Sequence, residues 1–231
     1  MKILDLHTHI LPGVDDGAQD EQMTRQMMRR AKDAGIDYIV GTPHVYRPQD
    51  QAVNRRMLRL TRRIAHEYGI GMAMGCEFNY RALLAADTGN LDAFCLAGTP
   101  CILLELPADQ MMPGWEGTIS EMIDRGYLPI IAHPERYAYV QRDIGVAHAM
   151  CDIGCELQVD ACGLMAGLFS AERKTARKLL SEGMVSYIAS DAHRPSDYDD
   201  YEKAWRTFKA EWPRGSRLVD RLRARGKEQS E

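Results

Sequence analysis

Two pairs of side chains with metal-binding chemistry stand near opposite ends of the sequence. His7 and His9 follow the apolar run "KILDL", and Asp191 and His193 follow the run "VSYIAS". Residues two positions apart on an extended chain point to the same side, so each pair can present two ligand atoms to one cavity. Imidazole nitrogens and carboxylate oxygens together suit Mn, Fe or Zn. The pairs therefore predict a metal site, provided that the fold brings both ends of the chain together.

Other potential ligands also follow apolar runs. The full set has nine members: His7, His9, Asp16, His44, Glu77, Glu105, His133, Asp191 and His193. Glu105 lies within the apolar "ILLEL", where a carboxylate is costly unless a metal ion or a basic side chain accompanies it. His44, taken alone, is more typical of a turn residue than of a ligand. Nine ligands are too many for one ion, so the set predicts two ions and allows three.

Neighbouring polar residues are assigned other roles. Asp15 precedes Asp16 and a glycine, and we predict that it is a turn residue. Strand alternation predicts that Asp5 faces inward with the histidines while Leu4 and Leu6 face the helices. Asp5 would then either accept a hydrogen bond from a ligand imidazole or serve the structure alone.

Four further titratable residues are left out of the ligand set. His66 and His148 lie in helical patterns, which indicates structural or solvent-facing positions. Glu156 and Asp160 flank an apolar run that no histidine accompanies. Neither carboxylate is therefore predicted to be a ligand.

The elements that must position these residues alternate along the chain. Seven apolar runs are predicted strands, at residues 2–6, 36–41, 70–75, 101–106, 128–133, 155–160 and 185–190. Amphipathic segments such as 20–35 and 50–69 lie between them, each with an acidic residue near its start and a glycine at its end. Repeated βα units predict an α/β protein with a parallel sheet, closed or nearly closed like a (β/α)8 barrel. Such barrels carry their chemistry at the carboxyl ends of the strands, where the candidate ligands fall. The segment 78–98 is irregular and has no predicted element.

Composition excludes several classes of function. The chain has 29 basic and 33 acidic residues and a net charge of -4, so we expect no nucleic-acid partner. It has no apolar run of about 20 residues, which predicts a protein without a membrane segment or cleaved signal, located in the cytoplasm. None of the six cysteines begins a C-x5-R loop, so the chemistry of cysteine-dependent phosphatases is excluded. We expect residues 1–231 to form one domain with a basic helical tail at about 214–231, either solvated or docking an acidic partner.

The ordered motifs "HTH", "DDG", "TPH", "GCE", "LLEL", "HPER" and "SDAH" resemble the polymerase-and-histidinol-phosphatase (PHP) superfamily. Within that superfamily, the chain is most similar to the metal-dependent bacterial tyrosine phosphatases encoded with capsule and exopolysaccharide genes. The resemblance extends from residue 3 to about residue 194. It implies a distorted (β/α)7 TIM-like barrel with three metal ions, usually manganese.

The same resemblance implies roles for individual residues. The implied ligand groups are His7, His9, Glu105 and Asp191 for one ion; Glu77, Glu105 and His133 for a second; and Asp16, His44 and His193 for a third. Arg136 of "HPER" would bind the substrate phosphate, with Asp191 and His133 as the other catalytic residues. A planar guanidinium one helical turn beyond His133 suits a phosphate, although a surface salt bridge is the alternative. Arg47 in "HVYRPQD" would add to a basic rim or is an ordinary loop charge.

These residues predict phosphoester hydrolysis. Paired divalent ions can lower the pKa of a bound water, hold the phosphate and stabilise in-line attack. Phenol, with a pKa of about 10, leaves more readily than an alkyl alcohol, so a strong general acid is less needed. The resemblance implies a phosphotyrosine protein as the substrate, and we predict that it is the tyrosine-rich tail of a kinase that controls polysaccharide export.

Three other functions remain open at this stage. One is a small-molecule phosphatase, such as one for histidinol phosphate, and another is a regulatory binding module that has lost turnover. The third, an amidohydrolase barrel, is disfavoured because that class uses a lysine near strand four and a lone final aspartate. The sequence predicts no oligomeric state.

Overall fold

Parallel strands alternate with helices along the chain. The computed structural model describes residues 3–47, 51–85 and 90–213, without the side chains of 51 and 52. The strands are β1 (Ile3–Asp5), β2 (Ile36–Gly41), β3 (His44–Val45), β4 (Gly71–Met74), β5 (Glu77–Asn79), β6 (Cys101–Glu105), β7 (Leu128–Ala132), β8 (Glu156–Asp160) and β9 (Val185–Ala189). The α-helices are α1 (Glu21–Asp33), α2 (Gln51–Glu67), α3 (Tyr80–Ala85), α4 (Trp115–Asp124), α5 (Ala138–Arg142), α6 (Gly145–Ile153), α7 (Ala161–Met165), α8 (Ala171–Ser181) and α9 (Asp197–Thr207).

Two of the strand positions are interrupted. At each interruption the chain passes from the first sheet to the second. The first sheet has the order β1-β2-β4 and the second the order β3-β5-β6-β7-β8-β9, with every pair parallel. Only two residues separate β2 from β3 and β4 from β5, so each pair occupies one strand position. The chain therefore has the predicted α/β class, with seven barrel-like strand positions. The breaks at the second and third positions are a distortion that hydrophobic runs do not reveal.

The first and last strand positions meet at a seam. Thr8 and Ala192 form an isolated parallel bridge. The His9 amide donates to the Ala192 carbonyl, and the Asp191 amide donates to the His7 carbonyl, both at 2.9 Å. The seam therefore brings the two terminal ligand pairs side by side, as the predicted metal site requires.

Apolar residues fill both sides of the strands. An inner cluster includes Leu6, Val40, Leu103, Ile130 and Tyr187, all buried. A larger outer cluster packs the other strand faces against the helices. The inner cluster closes the space between the strands, so the carboxyl ends of the strands are the part of the barrel left for polar side chains.

Helix boundaries follow the predicted signals. Asp20 caps α1 by accepting a hydrogen bond from the Met23 amide at 2.8 Å. Gly35 and Gly69, just beyond α1 and α2, have φ angles of 86° and 65°, which favour glycine because it lacks a Cβ. In the unpredicted segment 78–98, the structure has most of β5, all of α3 and two short 3-10 turns. The predicted tail at 214–231 lies outside the described residues, among which no helix is long and apolar enough to cross a membrane.

Asp5 stabilises the seam between the first and last strands. It lies outside the inner cluster. Its carboxylate is fully buried and accepts hydrogen bonds from the Ser190 amide at 2.9 Å and the Ser190 hydroxyl at 2.6 Å. The inner cluster contains Leu6, with Leu4 packed against it, so the prediction that these leucines face the helices is wrong. Leu4, Asp5 and Leu6 still alternate, but β1 ends at Asp5, so the alternation does not extend to His7 and His9. The prediction that Asp5 faces inward with the histidines is therefore wrong as well. Of the two roles predicted for Asp5, the structural one is confirmed.

Replacing Asp5 with asparagine should change how stability depends on pH. Burial raises the pKa of Asp5 from 3.8 to about 6, despite the hydrogen bonds from Ser190 that oppose it. The protonated carboxyl is therefore favoured in the folded state, and its stabilising contribution, complete below about pH 4, is lost as the pH rises through 6. Between pH 4 and pH 8, the free energy of unfolding of Asp5→Asn should rise by about 2 kcal/mol relative to that of the wild type.

Urea denaturation of the metal-stripped proteins across this pH range measures the difference. Asp124→Asn, an exposed carboxylate on α4, is the control and should show a constant difference. A constant difference for Asp5→Asn would contradict the prediction.

Candidate metal centre

All nine predicted ligands lie together at the carboxyl ends of the strands. Three groups have ligand atoms within 4.8 Å of one another: His7, His9, Glu77 and Asp191; His9, Asp16, His44 and His193; and His44, Glu77 and Glu105. His133, which follows β7, reaches the same cluster because its Nε2 lies 2.7 Å from Oε1 of Glu77. The residues thus come from six of the seven strand positions and, for Asp16, from the loop after the first strand.

The grouping differs from the one that the family resemblance implies. Glu77, and not Glu105, lies with His7, His9 and Asp191. Glu77 begins β5 and is 1% exposed, so its carboxylate lies where the imidazole rings converge. Glu105 ends β6, is only half-buried and accepts a hydrogen bond from the side-chain Nδ2 of Asn79 at 3.0 Å.

Glu77 is the electrostatic centre of the cluster. Its Oε2 lies 3.3 Å from Nε2 of both His7 and His9 and 3.0 Å from Nδ1 of His44, while Oε1 faces His133. Burial alone would raise the pKa of Glu77, but the imidazoles hold it well below its usual range. Conversely, Asp191 and Glu77 raise the pKa of His7 to about 9 against the opposing effect of burial. The arrangement thus favours positive charge within the cluster, whether carried by protons or by metal ions.

Hydrogen bonds fix the tautomers of the two central imidazoles. Nδ1 of His7 lies 2.9 Å from Oε1 of Gln158, whose Nε2 donates to Asp160 at 2.8 Å. Nδ1 of His9 lies 2.7 Å from Oδ2 of Asp15. Both Nδ1 atoms therefore donate, which leaves the Nε2 atoms as acceptors in the neutral rings.

The two Nε2 atoms of His7 and His9 are only 3.2 Å apart. Oδ1 of Asp191 lies 3.1 Å from each of them and is buried with no hydrogen-bond partner among the described residues. Two lone pairs and a carboxylate oxygen directed at one point are the donor set of a divalent cation. The residues present therefore fit a metal ion.

A second group lies nearer the surface. Nδ1 of His193 donates to the Asp191 carbonyl at 2.9 Å, which leaves its Nε2 facing Asp16 at 3.3 Å. Nε2 of His44 lies 3.6 Å from the same Asp16 oxygen. Asp16 is 68% exposed, so this group is open to solvent.

Asp15 has a larger role than the turn predicted for it. It does accept a hydrogen bond from the Gly17 amide at 3.1 Å, as a turn residue would, but it also orients His9 and accepts from the His44 amide at 3.0 Å. The imidazole of His9 in turn holds the pKa of Asp15 below its usual value, against the effect of burial. Gln158 plays the matching part for His7 and was not predicted at all. A glutamine at an inward position of β8 is the only signal in the sequence that could have identified it.

Asp15→Asn should weaken metal binding by about 10- to 100-fold, because the ionised acceptor that orients the His9 ring is lost. Titration of the metal-stripped protein with manganese, followed by calorimetry, measures the change. Asp152→Asn, an exposed carboxylate on α6, should bind as the wild type does. Equal affinities for Asp15→Asn and the wild type would show that Asp15 acts only in the turn.

Arg136 links the cluster to a second carboxylate that the sequence did not indicate. It lies in a 3-10 turn after β7, and its NH2 is 2.6 Å from Oδ2 of Asp160 and 2.7 Å from Oδ2 of Asp191. Both carboxylates are buried, whereas the Arg136 side chain is about one third exposed, so these are not surface salt bridges. Burial raises the pKa of Asp160, although Arg136 opposes the shift.

The backbone at two site residues is strained. His133 and Asp191 have φ angles of 34° and 47°, a left-handed conformation that residues other than glycine seldom adopt. Such conformations cost on the order of 1–3 kcal/mol each and persist where the surroundings enforce them. Among the described residues three that are not glycine have this conformation, and two of the three are candidate ligands; the other is Ala97, with a φ of 52°.

The remaining candidates lie at or beyond the edge of the site. Arg47 is exposed and, with Asp16 and His44, lines a cavity of about 340 Å³. His66 and His148 are exposed on helices, as predicted. All six cysteines are free and four are buried, which agrees with their assignment as small apolar residues.

A parallel α/β barrel with imidazoles and carboxylates clustered at its strand ends is the architecture of a metal-dependent hydrolase. Residues 3–201 match the family described as "Capsular polysaccharide synthesis, CpsB/CapC". The chain belongs to this family.

Relatives with similar sequences are named as tyrosine phosphatases. The tyrosine-protein phosphatase YwqE of Bacillus subtilis (strain 168) is 30% identical over 197 residues, which cover 83% of this chain and 77% of the relative. The tyrosine-protein phosphatase CpsB of Streptococcus pneumoniae is 24% identical over 202 residues, with 83% of each chain covered.

Solved structures confirm the fold. A chain from a crystallographic study of YwqE and CpsB, described there as unique metal-dependent tyrosine phosphatases, matches with a TM-score of 0.76 and 26% identity, covering 90% of this chain and 87% of that one. Histidinol phosphate phosphatase from Lactococcus lactis matches with a TM-score of 0.50 and 13% identity, covering 89% and 93% of the two chains. The second match is a likeness of fold alone.

Proposed function

We propose that this protein is a metal-dependent phosphatase that removes phosphate from phosphotyrosine in a protein substrate. The observation that carries the proposal is the position of Asp191. Its Oδ1 faces the Nε2 atoms of His7 and His9, while its Oδ2 contacts Arg136. One side chain thus joins the metal-binding atoms to a cation suited to phosphate, and the names of the family's relatives support the same activity.

The nine clustered residues are the proposed metal ligands, holding two or three ions, with Mn²⁺ favoured and Fe or Zn compatible with the same atoms. When bound, these ions would supply Lewis acidity and an activated water for attack on phosphorus. The chain itself orients three of these ligands, His7, His9 and His193, through Gln158, Asp15 and the Asp191 carbonyl respectively.

Arg136 is the proposed phosphate-binding residue. A guanidinium has five N–H donors, and the contacts with Asp160 and Asp191 are made through a single nitrogen, NH2. The other donors remain for two phosphate oxygens, and the exposed part of the side chain leaves room for them. Arg47, exposed at the edge of the site, is proposed to add to the attraction for the substrate.

Asp191 and His133 complete the proposed catalytic set, and Asp191 is not suited to supplying a proton. His7, His9 and Arg136 hold the pKa of Asp191 well below its usual range despite its burial, so this carboxyl is ionised at neutral pH. The Nε2 atom of His133 is directed at Glu77. A phenolate leaving group has little need of a strong acid, which suits this arrangement to phosphotyrosine.

We further propose that the substrate is the tyrosine-rich tail of a kinase that controls capsular or exopolysaccharide synthesis, and that the enzyme acts in the cytoplasm. The family description, with its reference to capsular polysaccharide synthesis, supports this assignment.

The proposal is tested with protein stripped by a chelator and reloaded separately with Mn²⁺, Fe²⁺ and Zn²⁺. Metal-loaded enzyme should hydrolyse a phosphotyrosine peptide faster than a phosphoserine peptide or histidinol phosphate. His133→Ala should abolish this activity with the fold retained, whereas His66→Ala, at an exposed histidine on α2, should not.

Two results would overturn the proposal. Faster hydrolysis of histidinol phosphate would indicate a small-molecule phosphatase. Full metal occupancy without hydrolysis of any of the three esters would indicate a binding module.

A further inference from the structure

Tyr46 lies between two cavities at the carboxyl ends of the strands. The cavity of about 340 Å³ that Arg47 lines also borders Tyr46 and His44. A larger cavity, of about 550 Å³, borders Tyr46 and Glu105. Each cavity includes a candidate metal ligand in its wall, so a ligand held at the cluster can extend into either one.

The ring of Tyr46 is held in place but remains accessible. It stacks on the imidazole of His44, with ring centroids 5.1 Å apart and an interplanar angle of 25°. Nevertheless the residue is 55% exposed. An exposed aromatic ring resting on a site residue presents a rigid apolar surface beside a strongly polar cluster, and such a surface suits a second aromatic ring.

The larger cavity offers further apolar surface. Its lining includes residues 106–108, which follow Glu105 directly in the chain; Leu106 is only 2% exposed, so the accessible apolar surface comes from Pro107 and Ala108. Glu105 belongs both to this lining and to the ligand group with His44 and Glu77. A phosphoester bound at the cluster can therefore direct its alcohol portion along residues 106–108. Carboxylates border both cavities: Asp15 and Asp16 line the smaller one, and Asp109 lines the larger one together with Glu105.

We infer that Tyr46 and residues 106–108 form the binding site for the aromatic ring of the substrate, and that this site selects phosphate esters of phenols over those of alkyl alcohols. The inference rests on the proposed function, because it assigns the part of the substrate beyond the phosphate. In an aryl ester the ring is attached directly to the ester oxygen, so it must lie next to the bound phosphate. An aromatic contact of this kind is worth about 10-fold in affinity.

Binding of two phosphonates to manganese-loaded protein tests the inference. Benzylphosphonate carries an aromatic ring and propylphosphonate an alkyl chain, and neither is hydrolysed because a methylene group replaces the ester oxygen. The wild type should bind benzylphosphonate about 10-fold more tightly than propylphosphonate by calorimetry. Tyr46→Ala should bring the two affinities to within about 2-fold, chiefly by weakening benzylphosphonate binding.

Two variants separate the ring from other effects. Tyr46→Phe keeps the ring without its hydroxyl and should preserve the preference. Val53→Ala changes an exposed residue of the smaller cavity and should preserve it as well. Equal affinities in the wild type, or an undiminished preference in Tyr46→Ala, would overturn the inference.

Loss of the preference for benzylphosphonate in Val53→Ala would also overturn the inference, because the aromatic ring of the ligand would then lie in the smaller cavity. None of these results depends on turnover. Failure of the proposed function would be seen separately, as the absence of phosphotyrosine hydrolysis by the manganese-loaded wild type.

Discussion

Glu77→Gln is expected to reduce the phosphatase kcat/KM by about 10³-fold or more and to lower the bound metal content. The substitution preserves the size of the side chain but removes the charge that faces four imidazoles. A neutral amide is a poorer metal ligand than a carboxylate. Its NH2 group would also point a donor at imidazole nitrogens that must themselves remain free to bind metal.

Elemental analysis of the purified variant, together with steady-state kinetics on a phosphotyrosine peptide, measures both effects. Circular dichroism checks that the fold is retained. Glu116→Gln, an exposed glutamate on α4, is the matched control and should behave as the wild type does. A Glu77→Gln variant with full metal content and full activity would remove Glu77 from the proposed ligand set.

Arg136→Lys is expected to lower kcat/KM by about 10²- to 10³-fold while leaving the metal content unchanged. Lysine preserves the positive charge beside Asp160 and Asp191, so the two buried carboxylates remain neutralised. Lysine lacks the planar guanidinium group, whose several N–H donors can bind two phosphate oxygens while still contacting the carboxylates. The loss should therefore appear in catalysis and phosphate affinity more than in stability.

Kinetics on the phosphotyrosine peptide and the inhibition constant of inorganic phosphate measure this effect. Arg142→Lys, at an exposed arginine in the last turn of α5, provides the control. Unchanged kinetics for Arg136→Lys would identify Arg136 as a structural partner of the two carboxylates, with no part in binding phosphate.

The candidate ligands could be predicted because each one depends on local pattern. A polar residue after an apolar run lies at a strand end, and a parallel barrel gathers strand ends at one face. This reasoning placed His44 and His133 at the same face of the barrel, although 89 positions separate them in the sequence. The same reasoning predicted the strand at 36–41 and the helix after Asp20 close to their observed limits.

The supporting residues could not be predicted in this way, because their roles depend on partners distant in sequence. Gln158 orients an imidazole 151 positions away, and Asp160 contacts Arg136 across neighbouring strand positions. The predicted orientation of Leu6 was wrong for a different reason. Alternation holds only within a continuous strand, and β1 has three residues and a register shift. Short strands thus limit any argument from periodicity.

The seam between the first and last strands has a consequence for how the barrel is held together. It is joined by one isolated bridge and a few hydrogen bonds, where the other strand positions share regular ladders. Two proposed ligands, His7 and His9, lie on one side of it, and Asp191 and His193 lie on the other. An ion bound by residues from both sides would therefore act as a cross-link, as a disulfide does in a secreted domain. Loading the metal would tighten the part of the barrel with the fewest backbone contacts, and slower hydrogen exchange at residues 7–9 and 191–193 would be its signature.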